Sequence, residues 1–226
     1  MTRPLRACLA AALVLVGCAG DPASSADPAT AAPAPTTAAQ DPTATPLPVA
    51  DPAYVVARIH VGAQPCGVIA DPTAVWISSF GSDALHRIDP TTDTVTDVVR
   101  VGAAPCGLGY GAGSIWTSDF RGNTVTRVDV ATRKVVATIP VGRAPFDAAF
   151  GLGSAWVTNG SDGTVSRIDP ASDKVVATID VGPAPAGIAI VGDSAWVPLG
   201  NGSVARIDGR TNRVRQEIQV AETGNA

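Results

Sequence analysis

Residues 141–182 read VGRAPFDAAFGLGSAWVTNGSDGTVSRIDPASDKVVATIDVG, and this stretch decides the fold. Asp147 to Gly151 is a short apolar run, and Ala155 to Thr158 is a second one around Trp156. Asn159 to Gly163 is rich in residues that tolerate left-handed backbone, as a hairpin turn requires. Thr164 to Asp169 alternates between apolar and polar residues, Pro170 to Asp173 turns again, and Lys174 to Val181 is rich in valine and isoleucine. No apolar pattern follows a helical period, so the stretch predicts four antiparallel strands joined by tight turns.

The same pattern extends in both directions with a period of 40 residues. Val-Gly opens each copy at Val61, Val101, Val141 and Val181, and a proline follows at Pro65, Pro105, Pro145 and Pro185. Then come Trp76, Trp116, Trp156 and Trp196, and an Arg-(Ile/Val)-Asp triplet at Arg87/Asp89, Arg127/Asp129, Arg167/Asp169 and Arg206/Asp208. Only the last copy slips, by one residue. Four short strands per unit of this length is the period of a β-propeller blade. The fold class expected is therefore all-β, with antiparallel four-stranded blades at about 62–101, 102–141, 142–181 and 182–220. A sheet with two apolar faces is not stable alone, so each blade must stack on the next, with one tryptophan per blade as the plug. Arg and Asp two apart share one strand face, which predicts a salt bridge within or between blades.

The residues Trp156-Val157-Thr158-Asn159, Thr164 to Pro170, Lys174 to Ile179 and Val181-Gly182 resemble the YVTN family of β-propeller repeats. That family is similar in fold to the virginiamycin B lyase-like and NHL propellers. The resemblance covers residues 54 to about 220 and implies a ring of about seven blades. Four blades therefore read as an open or incomplete ring. Residues 54–62 match a fourth strand, giving a lone leading strand before four complete blades, 17 strands in all. Three readings follow: a fragment of a longer propeller, two chains pairing their open ends into eight blades, or four blades closing alone.

Ahead of the repeats, Arg3 and Arg6 precede the apolar stretch Ala7 to Val16, which is too short to span a bilayer as a helix. Leu15-Val16-Gly17-Cys18 resembles the lipobox of bacterial lipoproteins, in which the signal is cleaved before the cysteine and the cysteine is acylated. This implies a signal at 1–17, a lipid anchor on Cys18, and a place on the outer face of a bacterial membrane. Residues 19–53 are almost entirely Ala, Pro, Thr, Ser and Asp, with eight prolines, and read with Cys18 as a disordered tether. The folded domain is expected over 54–226. Loss of Arg3 and Arg6 from 16 basic residues leaves 14 against 20 acidic ones, a formal charge of −6. There is no basic stripe, so nucleic acid is not an expected partner.

Cys66 and Cys106 hold the same place in repeats one and two. Equivalent positions of adjacent blades approach each other only near the axis, where this position falls, and the compartment permits a disulfide. The alternative is two buried small residues, since Phe146 and Ala186 stand there in the other copies. No metal and no cofactor are expected: two cysteines without a nearby histidine make a poor zinc shell. The start of the innermost strand and the end of the second share one rim. That rim gathers Ser79, Asp119, Phe146, Asp147 and Asn159 as candidates to bind a protein, glycan or small ligand, beside turns such as Phe80-Gly81-Ser82-Asp83 and Phe120-Arg121-Gly122-Asn123. No catalytic residue is expected. The lyase resemblance implies histidine and glutamate side chains with a divalent metal. Here His60 and His86 are expected on outer and third strands and Glu217 and Glu222 at the C-terminal end, away from the rim. The function expected is a non-catalytic, surface-anchored binding module, with the lyase and the longer-propeller fragment as alternatives.

Overall fold

In the computed structural model, which describes residues 57–220, every regular element is a strand. Blade 1 comprises β1 (Pro65–Ala70), β2 (Val75–Ser79), β3 (Ala84–Asp89) and β4 (Thr94–Arg100). Blade 2 comprises β5 (Pro105–Gly111), β6 (Ser114–Asp119), β7 (Thr124–Asp129) and β8 (Lys134–Pro140). Blade 3 comprises β9 (Pro145–Gly151), β10 (Ser154–Asn159), β11 (Thr164–Asp169) and β12 (Lys174–Asp180). Blade 4 comprises β13 (Ala189–Val191), β14 (Ser194–Pro198), β15 (Ser203–Asp208) and β16 (Arg213–Gln219). Each blade is one antiparallel sheet with its strands in chain order. The inner strands of blades 1 to 3 begin at the proline itself, earlier than the apolar pattern suggests, because the first residue of a strand tolerates a missing N–H.

The blades stack through three apolar cores. Trp76, Leu85 and Val99 of blade 1 meet Leu108, Ile115 and Val128 of blade 2. Trp116, Val125 and Ile139 of blade 2 meet Ala148, Ala155, Val157 and Ile168 of blade 3. Trp156, Val165 and Ile179 of blade 3 meet Ala195, Val197 and Ile207 of blade 4. Among the described residues no core joins blade 4 to blade 1, and the outer faces carry Val68 at 67% exposure and Val191 at 64%. The array is an open arc.

Two expectations change. Over its described part, the expected leading strand forms no ladder: Ala57 to Gln64 is without strand. A fourth strand pairs with the edge of a third strand, and every third strand is already covered by its own fourth. The described strands therefore number 16. The triplet aspartates do not pair with the arginines two residues before them. Asp129 accepts bonds from the Thr132 N–H and hydroxyl at 2.7 Å each, closing its own turn, and Asp89 does the same with Thr91. Arg127 and Arg167 cross to the next blade instead, Arg127 meeting Asp173 at 2.8 Å, whereas Arg87 bonds Thr96 and Thr73 of its own blade.

The expected signal, tether and Cys18 lie outside the described residues, as does Glu222.

Candidate functional site

Three of the expected rim residues are buried. Ser79, Asp119 and Asn159 are each 0% exposed. Each end of a second strand lies beneath the Val-Gly segment that enters the blade, and a Cβ added at Gly102 or Gly142 would overlap Asp119 or Asn159 respectively. Glycine is used there for the close approach of one segment over a side chain. The buried residue is matched by the third strand beside it. Asp119 Oδ2 accepts from the Thr124 and Thr126 hydroxyls at 2.9 and 2.7 Å. Asn159 Nδ2 donates to Thr164 and Ser166 at 3.0 and 2.9 Å. In blade 4 the pair is apolar, Leu199 with Ala205. These positions vary between repeats because the matched pair varies, and they present no surface to a ligand.

In blade 1 the pair is Ser79 with His86, Oγ to Nδ1 3.0 Å. This brings a histidine to a serine, contrary to the expectation that His86 stands apart. The bonding directs the proton the wrong way for nucleophilic catalysis. The Gly62 N–H donates to Nε2 at 3.3 Å, so the neutral ring carries its proton on Nδ1 and donates it to Ser79. Burial lowers the His86 pKa and keeps the ring neutral. His60 lies in the segment without strand, and Glu217 bonds Ser203 and Asn201 on the outer strand.

Burial pushes the Asp119 carboxyl up to about 6, against the two threonine donors that lower it, with Asp83 adding a small further rise. A folded pKa raised above the unfolded value favours the protonated native state. Its contribution is complete below about pH 4 and is lost as pH rises through about 6. Asn159 fills the same slot in blade 3, so Asp119→Asn is expected to stabilise the chain at pH 7.5 by roughly 2–3 kcal/mol and to change it little at pH 4. Urea unfolding at both pH values checks this, and equal gains at the two would sink it.

Phe146 and Asp147 remain at the axis. Cys66 and Cys106, one position before Gly67 and Gly107, have Cα atoms 5.0 Å apart and sulfurs joined, tying blade 1 to blade 2. Inner strands crowd together here: a Cβ on Gly107 would overlap the Asp147 backbone. Asp147 fits because the inner strand of blade 4 gives way. β13 starts only at Ala189, and the Asp147 carboxylate accepts from the Ile188 N–H at 3.0 Å and its neighbour Ala148 at 2.9 Å. Desolvation raises the Asp147 pKa even so.

The exposed feature of the rim is an aromatic row. Phe80 and Phe120, in equivalent turns of blades 1 and 2, have ring centroids 6.0 Å apart. Phe120 meets Phe146 of blade 3 edge-on at 6.5 Å. The Arg121 guanidinium lies 5.1 Å over the Phe80 ring. Phe146 is 39% exposed and the other two rings are half-buried. The sequence places Phe80 and Phe120 in variable turns; that they line up across blades follows only from the stacking. A separate cavity of about 540 Å³ lies between Pro140 at the end of β8 and Thr164, Ser166 and Thr178 of blade 3. Its one acid, Asp162, is paired with Arg143.

Solved structures give the comparison. The chain is similar to hydrazine synthase from Kuenenia stuttgartiensis, at 21% identity and a TM-score of 0.67, over 72% of this chain and 52% of that one. It is similar to a streptogramin B lyase at 18% identity and a TM-score of 0.61, over 70% and 55%. The fold is a β-propeller. Glutaminyl cyclase from Myxococcus xanthus is also similar, at 13% identity and a TM-score of 0.51, over 70% and 71%. The chain spans about half the length of the first two. No family model matches it, and no curated protein matches it by sequence. All three structures are named for enzymes, so the propeller likeness does not exclude catalysis.

Proposed function

We propose that this propeller is a non-catalytic binding module, held on the outer face of a bacterial membrane through Cys18, whose rim engages a partner protein. The observation that carries the reading is the row Phe80, Phe120 and Phe146 with Arg121. Aromatic rings and arginine on a rigid support are the residues that dominate protein-binding hot spots. His86 supports it too, since its ring is committed to Ser79 and Gly62. Phe120→Ala, which removes the centre of the row, is expected to weaken partner binding at least tenfold while leaving the melting temperature within a few degrees. Binding of wild type and variant to extracellular proteins and to a glycan array checks it. Retention by a glycan rather than a protein would change the ligand class. Turnover of a streptogramin B in the presence of a divalent cation would replace the reading with the lyase one. Cys18→Ala read by cell fractionation tests the anchor.

A further inference from the structure

The two open faces of the arc carry the two halves of one junction. Each internal junction from blade 2 onward uses an arginine clamp. Arg127 lies 4.9 Å over Trp116, bonds Ser114 through Nε at 2.9 Å, and reaches into blade 3 with one terminal nitrogen. That nitrogen meets Pro170 O at 2.7 Å and Asp173 at 2.8 Å. Arg167 repeats this over Trp156, reaching Gly209 O at 2.6 Å and Asn212 at 2.8 Å in blade 4. Asp173 and Asn212 sit in left-handed backbone, at φ 54° and 55°.

At the far end, Arg206 takes the same pose over Trp196 at 5.0 Å, with Nε on Ser194 at 3.0 Å. Its Nη2 reaches back to Asp193 at 3.5 Å, but its Nη1, the reaching nitrogen of the other clamps, has no partner among the described residues. Trp196 is only half-buried, and Val204 and Ile218 are uncovered relative to the fully buried Val165 and Ile179. At the near end, blade 1 holds the receiving half. Asp93 occupies the turn position of Asp173 and Asn212, at φ 53°, and is exposed, its side chain without a partner among the described residues. Beside it Val68, Val75 and Ile77 leave open the face that Leu108, Ile115 and Thr117 close in blade 2.

We infer that blade 4 of one chain docks on blade 1 of a second copy, Arg206 bonding Asp93 of that copy, and that two such junctions related by a two-fold axis close an eight-blade ring. Charge complementarity and continuity with the two clamped internal junctions select a second copy as the occupant. The junction lacks one element. Ser78, Ser118 and Thr158 each donate a hydroxyl to the next blade, at 2.5, 2.8 and 2.6 Å, and blade 4 has Pro198 there. The dimer is therefore expected to dissociate on dilution.

The test is sedimentation of the full mature chain carrying Cys18→Ala over a wide concentration range. A reversible monomer–dimer equilibrium is expected. Asp93→Arg should weaken it at least tenfold. Its side chain has no bond to lose among the described residues, and Arg133 adopts the same backbone, at φ 58°, in blade 2, so the fold tolerates the change. Arg206→Glu should weaken it similarly, and the double variant Asp93→Arg/Arg206→Glu should recover most of the loss. A monomer at every concentration overturns the inference, as does a dimer indifferent to these changes or a double variant without recovery. Polymers that lengthen with concentration overturn the closed ring.

Discussion

Trp116→Ala is expected to destabilise the chain by about 3–5 kcal/mol, the range for deleting a fully buried large aromatic. The ring is 0% exposed, between two blades. It stacks on Phe150 of blade 3, centroids 6.2 Å apart, and it carries the Arg127 guanidinium. Its Nε1–H donates to Gly111 O at 3.1 Å. Truncation leaves a cavity that two sheets cannot collapse to fill, frees an acceptor, and removes the surface that holds Arg127 toward Asp173. For a domain with a total stability of about 5–15 kcal/mol the loss is a large fraction. Trp196→Ala should cost clearly less in dilute solution, because that ring is half-buried and no blade covers it among the described residues. Denaturant midpoints for the two variants at low protein concentration make the comparison. Equal losses would mean that the trailing face of blade 4 is covered in the monomer.

Loss of the Cys66–Cys106 bond is the second large effect, about 4 kcal/mol on the loop-entropy account for a separation of 40 residues. The bond sits where the sheets need it. The β1–β2 ladder is irregular between Pro65 and Val68, and β5–β6 between Pro105 and Leu108, so each cysteine lies in a stretch without regular pairing. Ala186 stands at the equivalent position of the fourth repeat, so the Cys66→Ala/Cys106→Ala variant introduces a residue the repeat already carries there. Unfolding of that variant, and of the native chain with and without reductant, should show matching losses. A double variant as stable as the oxidised chain would show that the bond adds nothing.

The strands and their order were legible because alternation and turn residues act locally. Thr164–Asp169 has the same limits in the pattern and in the structure. The burial of Ser79, Asp119 and Asn159 was not legible, since it depends on a backbone segment 17 residues earlier crossing over each of them. The pairing of Arg127 with Asp173 rather than Asp129 was hidden for the same reason: partner and arginine are 46 residues apart. The aromatic row likewise needs three blades stacked before its members meet. Of the expected rim, the structure leaves Phe146 exposed and Asp147 half-buried.

Asp147 has one further effect. By standing where the other blades have glycine, it holds the inner strand of blade 4 away, and β13 keeps only three paired residues. The Ile188 N–H donates to the Asp147 carboxylate instead, and Ala186 bonds Pro198 O and the Thr158 hydroxyl. Inner-strand packing is thus least extensive between blades 3 and 4, while blades 1 and 2 are covalently tied. Unravelling has a direction in such a quasi-linear stack: it starts by peeling at the C-terminal blade and ends at the cross-linked pair, so partial opening spares the half of the rim that carries Phe80 and Phe120.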